Sequence, residues 1–100
     1  MDILEKYCKF QQNTEKKNNF DIKYMALGLG GEVGELLNEI KKLERDDNNI
    51  ITTQRKEKIL LEMGDILWYL QGLGRRFNIS IETMLNSNID KYKDGEGPMH

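Results

Sequence analysis

Apolar residues in this chain recur in steps of three and four over long stretches, and nowhere do they alternate with polar ones as a half-buried strand would. Four helical segments follow from that period. The first runs from about Asp2 to Lys17, carries Ile3, Leu4, Tyr7, Cys8 and Phe10 on or near one side, and ends in the polar pair Asn18-Asn19. Asp21 is placed to cap the second, which continues to about Glu44 with Ile22, Met25, Ala26, Leu29, Val33, Leu36, Leu37, Ile40 and Leu43 on its inner side. The acidic, asparagine-rich stretch Asp46-Asp47-Asn48-Asn49 reads as a loop, after which Thr52 or Thr53 caps a third helix to about Phe77. Ser80 caps a fourth, to about Tyr92, with Ile81, Leu85 and Ile89 inward. Pro98 is the single proline, so the residue that most strongly breaks helices is absent before the glycine-rich tail. The expected fold is all-α, a four-helix bundle occupying residues 1–93, with residues 94–100 as a tail.

Composition narrows the range of functions. At 100 residues the chain makes one domain with a thin core, which self-association would complement. A net charge of −2, from 15 basic and 17 acidic side chains, gives no general attraction to a nucleic acid polymer or to an anionic membrane. Cys8 is the only cysteine, so no internal disulfide forms. The opening MDILEKYCKF has no apolar run followed by a small-residue cleavage site, and no membrane span is visible; the cytoplasm is the expected compartment.

Two features break the rules of an ordinary helix. The second segment carries Gly28, Gly30, Gly31 and Gly34, each costing about 1 kcal/mol against alanine in a helix interior, so a close helix approach or a ligand at the backbone must compensate. GLGGEVG is not a dinucleotide loop, because no strand precedes it and its third fingerprint glycine would fall at Val33; no GK[ST] occurs either. The same helix sets Glu32, Glu35 and Glu39 on an arc of about 60° that holds no lysine, an arrangement that asks for a cation. In the third helix Glu62 and Asp65 stand in a wall of Leu60, Leu61, Met63, Ile66, Leu67, Trp68, Tyr69, Leu70 and Leu73, where an unpaired carboxylate is costly. Two acidic pairs at i, i+3, Glu32 with Glu35 and Glu62 with Asp65, are thus separated by 26 residues that include one loop, which lets the helices pack antiparallel with the pairs facing. A solvated acidic face, or arginine or lysine partners, would also account for the acids; if they bind metal, carboxylate oxygens select hard cations such as Mg²⁺ or Mn²⁺ over zinc. A di-iron bundle would need Glu-x-x-His on two helices, and the only histidine is His100.

At these residues the sequence resembles the MazG-like nucleotide pyrophosphohydrolases of the all-α NTP pyrophosphatase superfamily. The resemblance extends from about Phe10 to Tyr92 and is strongest in ALGLGGEVGELLNEIKK, residues 26–42, and EMGDILWYL, residues 62–70, which carry the paired ExxE and ExxD elements. The C-terminal segment keeps Asn88 and Lys91, but KDGEG replaces the arginine-tyrosine-proline ending common in relatives.

The resemblance implies Mg²⁺-dependent cleavage of a nucleoside triphosphate between its α and β phosphorus atoms, giving monophosphate and pyrophosphate. It implies Glu32, Glu35, Glu62 and Asp65 as metal ligands, with Mn²⁺ able to substitute. Glu35 and Glu39 are the candidate catalytic acids, Glu39 as an outer ligand or as a base for the attacking water. Asn88 and Lys91 resemble phosphate-side contacts, and the Tyr69 hydroxyl, one turn beyond Asp65, can reach a phosphate or sugar oxygen. Trp68 is a core, interface or base-stacking residue, Cys8 a small core residue without a histidine partner, and Lys41 and Lys42 either hold phosphate or complement the helix dipole. Leu61 and Trp68, seven positions apart, leave an apolar ridge for a second copy, so a homodimer or homotetramer is expected. Rival readings are a phosphoribosyl-ATP pyrophosphohydrolase-like activity, a (p)ppGpp-directed role, and a non-catalytic helical adaptor or regulator that keeps the metal.

Overall fold

A computed structural model of the chain describes residues 2–15 and 20–98, and contains four helices. They are α1 (Ile3–Thr14), α2 (Ile22–Asp46), α3 (Thr53–Arg76) and α4 (Ile81–Lys91), with no strand among the described residues. The all-α reading therefore holds. Each helix starts where a short polar side chain accepts a hydrogen bond from the backbone three residues on: Asp2 from the Glu5 N–H at 2.8 Å, Asp21 from Tyr24 at 2.7 Å, Thr52 from Arg55 at 3.1 Å and Ser80 from Thr83 at 3.1 Å. Of the two threonines open as caps for α3, Thr52 takes the role. The expected end of α1 at Lys17 and the Asn18-Asn19 stop lie outside the described residues, as does His100.

Helix ends are set by asparagines in the left-handed region. Asn48 and Asn49 (φ 53° and 60°) turn the chain out of α2, which runs through Asp46, two residues further than its apolar period. At the end of α3 the Ile79 N–H reaches back to the Gly74 carbonyl at 2.8 Å and Asn78 (φ 55°) to that of Arg75 at 3.2 Å, a paired closure that satisfies two terminal carbonyls. A Cβ on Gly74 would lie 2.6 Å from the Ile79 carbonyl oxygen, so this reversal requires glycine.

The α2 and α3 helices form a long antiparallel hairpin, against which α1 packs on the α3 side while also touching α4. Its register is legible residue by residue: Met25 abuts Gly72, the Tyr69 ring lies on Gly28, Glu32 faces Glu62 and Asp65, and Glu39 meets Arg55. The α1 helix is tied down by charge. Glu15, its side chain 4% exposed, accepts from Arg75 at 2.6 Å, from both terminal nitrogens of Arg76 and from Gln11 at 2.8 Å, while Arg76 Nε donates to the Phe20 carbonyl at 2.9 Å. Those arginines hold the Glu15 carboxyl below the usual range against the opposing effect of burial.

Apolar cover is scarce. Among the described residues Met25 is the single buried hydrophobic side chain. In α3 part of the expected apolar wall is solvent-facing within this chain: Leu60 is 65% and Leu61 68% exposed, with Met63 and Leu67 also exposed, while Ile66, Tyr69, Leu70 and Leu73 are half-buried. Trp68 is half-buried, its indole N–H donating to Thr14 Oγ1 at 2.7 Å and its ring meeting Tyr69 edge-on at 5.0 Å.

Candidate metal and nucleotide site

The hairpin brings three of the expected acids together. Carboxylate oxygens of Glu32, Glu62 and Asp65 lie within 4.8 Å of one another, Glu32 and Glu62 half-buried and Asp65 exposed. The i, i+3 spacing of Glu62 and Asp65 puts both on the side of α3 that faces α2, and Glu32 meets them from the opposite helix. Burial raises the Glu32 carboxyl above its ordinary range, and the charge of Asp65, a hydrogen bond with Glu62, and the charges of Glu62 and Glu35 push it the same way. The mutual repulsion felt at Glu32 would be relieved by a cation held between the three acids. The donor set is all oxygen, and so fits a hard divalent ion.

Asp65 is flanked by tyrosines. Burial and then the Asp65 charge raise the Tyr7 hydroxyl of α1; burial, Tyr24, Glu32 and Asp65 raise that of Tyr69. The Tyr69 ring lies on Gly28, where a Cβ would come within 2.1 Å of it, so this glycine serves close helix approach. Around Gly30, Gly31 and Gly34 there is open space. Beside Asp65 a cavity of about 370 Å³ opens between α1 and α3, lined by Tyr7, Phe10, Leu60, Leu61, Gly64 and Trp68.

Other expected site residues stand elsewhere. Glu35 is exposed one turn from Glu32 and outside the three-acid group. Glu39 is buried and paired: Arg55 Nη1 donates to it at 2.6 Å and Lys42 Nζ lies 3.4 Å away, and these cations hold its carboxyl below the usual range. The cation that the acidic arc asked for is at this position a protein side chain. Lys42 is thereby engaged, and Lys41 is exposed. Asn88 and Lys91 line a separate cavity of about 400 Å³ with Ile79, Thr83, Met84 and Ser87, and the Lys91 ammonium sits 5.2 Å from the centre of the Tyr92 ring. The helical period does not single out Arg55, and it places Tyr7 on the apolar side of the first helix without its proximity to Asp65. Arg55 had a signal: it precedes Glu62 by seven residues, as Glu39 follows Glu32 by seven.

Similarity to known proteins agrees with this geometry. Residues 20–96 match the family model described as the MazG nucleotide pyrophosphohydrolase domain. Gene 37 protein of Mycobacterium phage L5 is 33% identical over 70 residues, which cover 70% of this chain and 61% of the phage protein. No solved structure matches the chain. With the match spanning α2, α3 and α4 and including all four paired acids, the chain belongs to the MazG nucleotide pyrophosphohydrolase family.

Proposed function

We propose that the protein hydrolyses a nucleoside or deoxynucleoside triphosphate between the α and β phosphorus atoms, releasing monophosphate and pyrophosphate, in the presence of Mg²⁺ or Mn²⁺. The observation that carries this reading is the convergence of Glu32, Glu62 and Asp65 from two facing helices. These three would hold the divalent ion, with Glu35 as a fourth ligand or as the base for the attacking water. The bound ion would neutralise the acids and polarise phosphate oxygens. A triphosphate cannot approach such a cluster without that neutralisation.

The protein's own groups act by placement. The Tyr69 hydroxyl, near Glu32 and Tyr24, is positioned to donate to a phosphate or sugar oxygen. The Tyr7, Phe10 and Trp68 rings beside Asp65 offer apolar walls for a nucleobase. Glu39, neutralised by Arg55, is assigned a structural part instead of the ligand or base role expected from its spacing.

Assembly belongs to the same proposal. The chain exposes 7816 Å², whereas a compact monomer of its mass exposes roughly 5,900 Å². Its radius of gyration is 15.9 Å, against about 13 Å for a compact 100-residue domain. A homodimer or homotetramer would cover the exposed leucines of α3, and would let Asn88 and Lys91 of one copy approach the acids of another. No helix of the described residues is long and apolar enough to cross a membrane.

Separating the products after incubation with a nucleotide panel and Mg²⁺ tests the reaction. Monophosphate with pyrophosphate is expected, and loss of both in Asp65→Asn. Release of orthophosphate with a diphosphate would refute the cleavage site, and no product from any nucleotide would favour the metal-holding adaptor.

A further inference from the structure

The Glu39–Arg55 pair occupies the same hairpin position as the three-acid cluster, displaced by one heptad. Glu39 follows Glu32 by seven residues on α2, and Arg55 precedes Glu62 by seven on α3. Seven residues is a rise of about 10 Å and a rotation drift of about 20°, so both pairs lie along one seam of the antiparallel helices. One crossing is attractive and the other repulsive. Glu32 is opposed by Glu62 and Asp65, all acids, while Glu39 is met by a guanidinium at 2.6 Å.

Arg55 also has a second anchor. Its Nε donates to Asp47 Oδ2 at 2.7 Å, at the residue that closes α2, while its Nη1 holds Glu39 two turns earlier on that helix. The side chain is 11% exposed and those of Glu39 and Asp47 are 12% and 17% exposed, so solvent screens little of this contact. A planar fork fixed at two points on one helix from a third point on the other leaves little axial freedom, and a lysine ammonium cannot reproduce it. Partly buried ion pairs often add little net stability, and in some proteins they specify register.

We propose that Arg55 is a positioning residue that locks the axial register of α2 on α3, and so keeps Glu32 opposite Glu62 and Asp65 against their mutual repulsion. Its consequence for metal binding rests on the reading of those acids as ligands; the register lock itself does not.

The test reads the two separately. In full-length protein carrying Cys8→Ser, nitroxide labels are placed at the exposed positions Lys41 and Lys58 after changing both to cysteine. The labelled chain is diluted with unlabelled protein so that intrachain distances dominate, and measured by pulsed electron paramagnetic resonance without metal. Mn²⁺ affinity is measured on the unlabelled variants. Arg55→Met is expected to broaden the distance distribution and to weaken Mn²⁺ binding about tenfold, the lower end of what loss of a supporting partner costs a metal site. Arg55→Lys keeps the charge beside Glu39 and Asp47 but cannot hold both at once, and is expected to leave most of the broadening and of the lost affinity in place. Ser80→Ala, which removes the cap of α4, should lower stability and leave both readouts unmoved. If Arg55→Met does not fold, Asp47→Ala and Glu39→Ala each remove one prong and take its place in the test. A distribution as narrow in folded Arg55→Met as in the parent overturns the lock, whether or not metal binds. Absence of Mn²⁺ binding in the parent, with the distribution still broadened by Arg55→Met, refutes the ligand reading and leaves the lock standing.

Discussion

Replacing Gly28 with alanine isolates the contact that brings α2 onto α3. In an exposed helix this exchange gains about 1 kcal/mol, because alanine loses less backbone freedom than glycine. At Gly28 the added Cβ would lie 2.1 Å from Tyr69 Cε1, 2.5 Å from Cδ1 and 2.7 Å from Cζ, more than an ångström inside ordinary contact for the nearest atom. Those atoms belong to the body of a rigid ring, so either Tyr69 leaves its rotamer or the helices separate. Overpacking of this kind costs about 1–3 kcal/mol, which outweighs the propensity gain and leaves a net loss of up to about 2 kcal/mol. For a domain of this size that lowers the melting temperature by up to roughly 15 °C. Gly30, with nothing near its Cβ direction, supplies the reference: Gly30→Ala carries the propensity gain alone and should raise the melting temperature. Because both exchanges are the same chemistry in the same helix, their difference measures the Tyr69 contact. Tyr69→Ala in the Gly28→Ala background should restore much of what the single change loses relative to Tyr69→Ala alone, a coupling readable in a double-mutant cycle. Equal stabilisation by Gly28→Ala and Gly30→Ala in thermal denaturation would refute the packing argument.

Three further outcomes are expected. Millimolar Mg²⁺ or Mn²⁺ should raise the melting temperature of the parent protein, and Asp65→Asn should remove most of the rise; a metal-independent melting curve would count against the cluster as a cation site. The lowered Glu15 carboxyl contributes stability that is fully present above its unfolded value of 4.5 and is lost as pH falls through the folded value beneath it. Stability should therefore drop steeply below about pH 4.5, and Glu15→Gln should flatten that limb while destabilising the neutral protein by about 3 kcal/mol through its unpaired arginines, both seen in denaturation across pH. Trp68→Lys should lower the assembled mass in light scattering and also weaken the α1–α3 contact; a monomeric parent at micromolar concentration would refute the assembly proposal.

The helices and their starts were legible because a cap is local: Asp21 and Ser80 need only the backbone three residues on. The facing acids were legible for a similar reason, since i, i+3 spacing fixes a face and one loop fixes direction. What periodicity does not encode is which side chain from another helix arrives at a given position. Glu39 shares its arc with Glu32 and Glu35, and only the crossing with Arg55 distinguishes it. The Glu15 contacts span about 60 residues of sequence, beyond any local pattern. The four glycines of α2 look alike in sequence, yet within the chain one is filled by a tyrosine ring and three face open space. The apolar stripe of α3 predicts burial, but not whether its own chain provides it; here Leu60 and Leu61 find little cover within the chain.

The carboxylate of Glu15, shared between Arg75 and Arg76, gives α1 a different response to heat and solvent from that of an oily contact. Apolar docking weakens on cooling and tolerates sliding, whereas a guanidinium fork fixes angle as well as distance. Hydration of the separated charges becomes less favourable as temperature rises, so the penalty for having stripped water from Glu15 and its arginines shrinks on warming. Attachment of the first helix therefore rests on paired charge as well as on apolar burial. On cooling it should weaken less than an apolar contact of the same size would.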